Sequence, residues 1–362
     1  SFKTLLGNGN SLEIDYMSTA IDVNDNPQSP SYPALSYLSP ANAIMPGTGG
    51  SPFAVPVLWL GRALGSAFPS PIAPREIETD RFSIGLSGDF DNGFDWDAHY
   101  TVSSEDFYGQ QPDTSTSKFS AAIKGNGGNS GNQTWDLFTP TNNSADLIKW
   151  ISTNQQTWTE TELAVFDFVV TGQWGGMDIA SGFQYRDETF NVARGASSIA
   201  QFDASGNITV PADLLFLGGG LESNASRDAM AIFVEGSMNP SDKLEVNGAL
   251  RYEDLETDSS INPKISFRYQ ATDNLALRAS FSTSFREASL AQLTSTTIGL
   301  QGIQDFNADG SPKGGTTFIR IAQANNPNLN PEESDNMNIG AMWKPTDRLS
   351  MKLDYWAIDY TD

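Results

Sequence analysis

Proton transfer and nucleophilic attack near neutral pH usually depend on histidine or cysteine, and this chain has one histidine and no cysteine. His99 stands in "WDAHYTV", two residues from Asp97 and two from Thr101. A serine nucleophile would have to share this one ring, and no G-x-S-x-G elbow presents one. One imidazole without any thiolate also gives too few ligands for a transition metal, and a disulfide scaffold is excluded. "DFNADG" (305–310) places Asp305, Asn307 and Asp309 at calcium-loop spacing, followed by Gly310. The twelfth position of such a loop should be a bidentate glutamate, and Thr316 occupies it. The three residues stand as a weak calcium candidate, with a polar turn the better reading. No cofactor is implied, and no catalytic constellation is visible.

Binding is the remaining chemistry. Tyr37 and Trp59 lie in one long polar stretch, with Tyr32, Phe53 and Phe68. Trp135 and Trp150 lie in another, with Phe138. Flat rings among Asn, Gln and Asp suit sugars or peptides, which offer broad faces and polar edges. The plainer reading is that these rings pack the stretches onto each other.

The elements that would position these residues are strands. In "DRFSIGLSGDFDNGFDWDAHYTV" (80–102) Phe82, Ile84 and Leu86 alternate with Ser83, Gly85 and Ser87. After Asp91, Asn92 and Gly93, the residues Trp96, Ala98, Tyr100 and Val102 alternate with Asp97, His99 and Thr101. The same period recurs through the chain and predicts about 11 strands. Tight turns such as "DNG" (91–93), "GQWGG" (172–176) and "KPTD" (344–347) carry the residues turns require. They alternate with long connections at roughly 21–75, 109–156, 190–226 and 285–332, and a short one near 255–262. One helical pattern, "NSADLIKWIST" (143–153), has Ser144 as its N-cap.

Short turns at one end and long loops at the other is the asymmetry of an outer-membrane barrel. Several strands reach 12 residues, against five or six in an ordinary sheet. The wet faces carry charge: Asp97, His99, Glu245, Arg251, Arg278 and Arg286 all fall on the side away from the apolar residues. A hydrated lumen can solvate them while the other side meets lipid. Phe90, Phe94, Trp96, Trp174, Trp343 and Tyr355 lie near strand ends, as in an interfacial girdle. A formal charge of −23 argues against nucleic acid as a partner. No run approaches the ~18 apolar residues of a membrane helix, and "SFKTLLGNGN" shows no signal peptide. Neither absence bears on a barrel.

Two longer stretches carry a family resemblance: "NPKISFRYQATDNLALRASFSTSFREASLAQL" (262–293) and "NPNLNPEESDNMNIGAMWKPTDRLSMKLDYWAIDYTD" (326–362). Together they resemble the barrel of a TonB-dependent outer-membrane receptor. "RDAMAIFVEGSMNPSDKLEVNGALRYEDL" (227–255) is similar to the preceding hairpin of that family, and "GFQYRDETF" (182–190) to a further segment. The resemblance implies an all-β fold: an antiparallel transmembrane β-barrel with long extracellular loops, part of a 22-stranded wall. It implies that residues 1–362 are a partial barrel domain, with the plug domain and closing strands outside this chain. It also implies TonB-energised uptake of a scarce nutrient across the outer membrane of a Gram-negative bacterium. The partners would be TonB, reached through the plug, the lipid bilayer, and a small-molecule or oligomeric nutrient, with a surface lipoprotein as a further candidate. Three other readings stay open: a passive porin, a soluble β-sandwich binding or adhesion protein, and a secreted carbohydrate-active enzyme.

Overall fold

The computed structural model describes residues 1–29, 34–38, 53–65, 67–255 and 258–361. Twelve strands form one antiparallel sheet in strict chain order. They are β1 (Phe2–Leu5), β2 (Ser11–Val23), β3 (Arg75–Asp89), β4 (Asp95–Thr114), β5 (Ser152–Trp174), β6 (Met177–Arg194), β7 (Ser223–Ser241), β8 (Leu244–Leu255), β9 (Ser259–Thr272), β10 (Leu275–Arg286), β11 (Glu332–Thr346) and β12 (Leu349–Thr361). Neighbours in sequence are neighbours in space, the arrangement of an up-and-down wall. Among the described residues β1 pairs only with β2 and β12 only with β11, so the wall is not closed.

Period-2 alternation forces the two faces apart, because successive side chains point to opposite sides of a strand. Met230, Ile232 and Val234 of β7 share the outer face, and Arg227, Ala229, Ala231, Phe233 and Glu235 share the inner one. Nothing among the described residues covers the outer face. Phe82 is 41% exposed and Leu277 43%. Trp96 leans on Phe90 at the strand end, with ring centroids 6.5 Å apart. A soluble sandwich would bury this face against a second sheet, and none lies there among the described residues. Along β7 the apolar run from Met230 to Met238 spans about 26 Å of strand, or ~20 Å of height at a tilt near 40°. Tyr16, Tyr100, Tyr185 and Tyr252 edge this band above; Phe90, Trp174, Tyr269 and Trp343 edge it below.

The tight turns fall where the sequence puts them. Gly175 and Gly176, both with positive φ, form the whole connection between β5 and β6. Two such residues in sequence match the twist of the strands they join. At the opposite end the connections span 24–74, 115–151, 195–222 and 287–331. They are shorter than the sequence pattern predicts because β4, β5 and β6 run farther out. "GQQPDT" (109–114) pairs with "STNQQT" (152–157) without a break in register. Both segments are polar on both faces, so no alternation betrays them. The predicted helix is present as α2 (Ala145–Ile151), and Ser144 accepts a hydrogen bond from the Leu147 N–H at 3.2 Å. Two helices with no clear pattern accompany it: α1 (Thr116–Ile123) and α3 (Leu290–Thr294). An added antiparallel hairpin, Thr297–Phe306 with Pro312–Gln323, stands within the last long loop.

Candidate functional site

The inner face is a chain of paired charges. Glu253 on β8 is 5% exposed at its side chain, and a carboxylate there requires partners. Arg186 on β6 supplies one, at 2.8 Å, and Arg251 another, at 2.6 Å. Arg251 also donates to the Gln184 amide oxygen at 2.9 Å, and Gln184 donates to Asp167 at 2.7 Å. Three strands, β5, β6 and β8, are thus tied by side chains as well as by backbone. The room for this comes from β7, which lies between β6 and β8 and presents only Ala229 and Ala231 at these levels, both buried. Larger residues there would stand between Arg186 and Glu253.

Nearer the loops, Arg227 pairs with Glu188 at 2.6 Å and Glu287 at 3.2 Å, and donates to the Ala288 carbonyl at 2.6 Å. That fastens the start of the last long loop to the wall. A hollow of about 390 Å³ opens beside these groups. Toward the short turns lies a larger hollow of about 580 Å³, whose inward residues include Asp178, Glu235, Asn247, Lys264 and Ser266. Elsewhere on the inner face Asp97 meets His99 at 2.8 Å. The imidazole lies across Gly85, where a Cβ would collide with the ring. Hydroxyl pairs continue the lining: Ser83 with Thr101 at 2.8 Å and Ser11 with Ser87 at 2.7 Å. Arg278 binds Asp354 at 2.9 Å through Nε, Glu245 accepts from Asn247 at 3.3 Å, and Arg286 meets Glu332 at 3.3 Å. Asp97, His99, Glu245, Arg251, Arg278 and Arg286 thus share the face opposite the apolar side chains, dispersed along the wall rather than gathered at one centre.

The loops form a layer with its own core. Trp135 is fully buried, and Phe119, Ile123, Leu147, Ile151 and Leu38 surround it. The Trp135 ring meets Phe119 edge-on at 6.2 Å, and Trp59 packs on Phe119 at 5.7 Å. Trp135 and Trp59 therefore hold the layer together; Trp135 has no surface left for a ligand. Trp150 is half-buried beneath the Lys118 ammonium, 5.7 Å from the ring centroid. Tyr32 and the side chain of Tyr37 lie outside the described residues. Phe138 is the outward ring of these loops, exposed and tilted against Phe53.

A clamp joins three loops. Buried Asp113 accepts hydrogen bonds from the N–H groups of Thr114 (2.7 Å), Phe216 (3.0 Å) and Leu217 (2.7 Å). Arg320, from the added hairpin, donates to the carbonyls of Leu214, Leu215 and Leu217 at 2.6–3.1 Å. Burial pushes the Asp113 carboxyl above the usual carboxylate range, partly offset by those N–H groups and by Arg320. Asp213 accepts from the Ser117 N–H at the start of α1, at 2.7 Å.

The calcium candidate has a simpler explanation. Asp309 accepts from the N–H and hydroxyl of Ser311, and Asp305 pairs with Lys313 at 3.4 Å. Asn307 donates to the Ser311 hydroxyl at 3.0 Å. These groups close the hairpin turn on itself. Among the described residues no cluster of metal-ligating side chains forms.

The family described as TonB dependent receptor-like, beta-barrel matches residues 17–362. The chain belongs to the TonB-dependent receptor family. Its wall is a section of that family's antiparallel barrel. Two solved structures share the fold. One is FpvA of P. aeruginosa bound to heterologous pyoverdines, 14% identical with a TM-score of 0.50; the match covers 99% of this chain and 40% of FpvA. The other is the RagAB peptide importer in its closed-closed state, 12% identical with a TM-score of 0.51, covering 99% and 39%. The chain thus spans about two fifths of the length of these two chains. No curated protein sequence matches it.

For a receptor barrel, the residues that organise the inner wall most tightly are ones the alternation pattern placed but did not rank. Arg186, Gln184 and Glu253 share inward parity with Arg251, yet nothing in the sequence pairs them. The clamp residues Asp113 and Arg320 were missed entirely, because their partners are backbone groups.

Proposed function

We propose that this chain forms wall and extracellular loops of an outer-membrane receptor that imports a scarce nutrient with energy delivered through TonB. The single observation that carries the reading is the division of the sheet: an uncovered apolar face outside, and inside a lining of paired charges, amides and hydroxyls with open hollows. Such a wall suits lipid on one side and water or a polar plug on the other. The remaining strands and the plug would come from the same receptor beyond this segment. The loop layer would receive the nutrient, with Phe138 as its ready contact, and Asp97, Glu245, Arg251 and Arg278 would line the way and hold the plug. The nutrient class is a siderophore, oligosaccharide or peptide. Nothing is chemically transformed.

Uptake by cells carrying the full-length receptor tests this, together with its conductance in a planar bilayer. Uptake should stop when the inner-membrane proton gradient is collapsed, and the resting receptor should not conduct. Steady conductance with gradient-independent uptake would instead identify a passive porin.

A further inference from the structure

One feature of the outer face serves neither lipid contact nor loop packing. Above Phe166, strand β5 sends Glu162, Glu160 and Trp158 outward in turn. Their register partners on β4 are Ser104, Asp106 and Tyr108. Trp158 lies eight residues beyond Phe166, about 26 Å of strand and ~20 Å of height. A girdle aromatic sits against the apolar band. Here two rows of mainly acidic residues intervene, so Trp158 stands in water while still facing the membrane side of the wall.

The ring is held as a platform. Tyr108 stacks behind it, centroids 5.2 Å apart and planes 28° off parallel. The Tyr108 hydroxyl donates to Gln110 at 2.9 Å and accepts from Gln156 at 3.2 Å, so the backing ring cannot swing away. On the other flank the register partner of Trp158 is Ala193, which leaves the indole uncovered. Trp158 is 39% exposed despite its size. It floors a hollow of about 440 Å³ whose rim carries Glu160, Asn191, Asn224 and Glu222. Asn191 and Asn224 are direct cross-strand partners, so their amides stand side by side.

A flat apolar floor with planar amides and carboxylates at its edge fits the C–H face of a pyranose and its hydroxyls. No Lys or Arg lines the hollow, the nearby Arg194 guanidinium being tied to the Leu221 carbonyl, so a phosphorylated or acidic sugar would meet chiefly like charge and neutral amides. We propose that this hollow binds a neutral sugar unit of a glycolipid anchored in the leaflet at the foot of the wall. The inference rests on the outer-membrane reading above. A free nutrient bound here would be on the wrong side of the wall to enter the lumen. A sugar tethered to lipid beside the barrel is held on this side and at this height.

Native mass spectrometry of the full-length receptor, extracted in mild detergent from the host membrane, tests the proposal. The probes are the host's purified surface glycolipid and the oligosaccharide released from it by delipidation. Wild type should retain glycolipid. Trp158→Ala and the rim variant Asn224→Ala should each cut retention at least tenfold, with unchanged heat-modifiability and nutrient uptake. Trp174→Ala, in the lower girdle, should retain it as wild type does. The free oligosaccharide should bind far more weakly than the glycolipid, and only where Trp158 is intact. Equal retention by Trp158→Ala and wild type would overturn the proposal, as would equal loss in Trp174→Ala, which would signal general lipid contact. Oligosaccharide binding as tight as glycolipid would overturn the tethered source, and lost uptake in Trp158→Ala would make this a nutrient site. A receptor absent from the outer-membrane fraction would sink the importer reading instead, with the sugar test then reported on protein alone.

Discussion

The wall and the loop layer use the same kinds of side chain in opposite ways. In the wall Ile232, Val234 and Leu353 lie bare on the outer face, while Glu253 is enclosed between two arginines. In the loop layer Trp135, Phe119 and Leu147 are enclosed in a core of their own. A layer bathed by water must hide its apolar residues. A wall bathed by hydrocarbon gains nothing by hiding them and must satisfy its polar groups on the other side. The contrast teaches that two different solvents shape this one chain.

The largest effect should come from Trp135→Ala. Emptying a fully buried indole site costs about 3–5 kcal/mol, and the loop layer should become open to protease while the barrel stays heat-resistant. If the whole barrel loosened with it, the two regions would not be separate structures. Next is Val234→Arg, in the middle of the apolar band, at about 2–4 kcal/mol, read from unfolding in lipid vesicles. Phe138→Arg, a similar insult on a water-facing ring, should change stability by no more than about 0.5 kcal/mol. Equal costs for the two would erase the distinction between their solvents.

Arg251→Ala should cost about 1–3 kcal/mol, since the buried Glu253 carboxylate keeps Arg186 but loses one charge-assisted hydrogen bond. Denaturant unfolding of Arg251→Ala with and without Glu253→Gln measures the coupling: with Glu253 replaced, the cost of Arg251→Ala should shrink to what the lost Gln184 hydrogen bond leaves.

The smallest effect concerns pH. Asp113 has its carboxyl pushed up by burial, so the folded layer binds that proton more tightly than the unfolded chain. Its contribution to stability is therefore full below the unfolded carboxylate range and declines as pH rises through the raised folded value. Protease resistance of loop 195–222 should rise slightly on mild acidification, and Asp113→Asn should abolish that dependence.

Legibility in the sequence followed the same division. The wall could be read because lipid imposes a strict period of two: Phe82, Ile84 and Leu86 announce their strand without knowledge of any distant residue. Strand β1 escaped because four residues are too few for a period. The outer reaches of β4 and β5 escaped because water lies on both sides of them. The loop core could not be read, since "GNQTWDLF" looks the same whether Trp135 faces water or Leu38 and Phe119. Burial there is decided by residues up to about a hundred positions away. The aromatic platform at Trp158 depends on a small neighbour, Ala193, that only the register reveals.

The unbroken pairing of β4 with β5 out to Thr114 has a further consequence. From Tyr100 to Thr114 the strand climbs about 46 Å, some 35 Å of altitude above the lipid edge. This blade of the wall stands clear of the bilayer, with water on both of its faces. Anything that docks on its tip is held well clear of the first acyl chain.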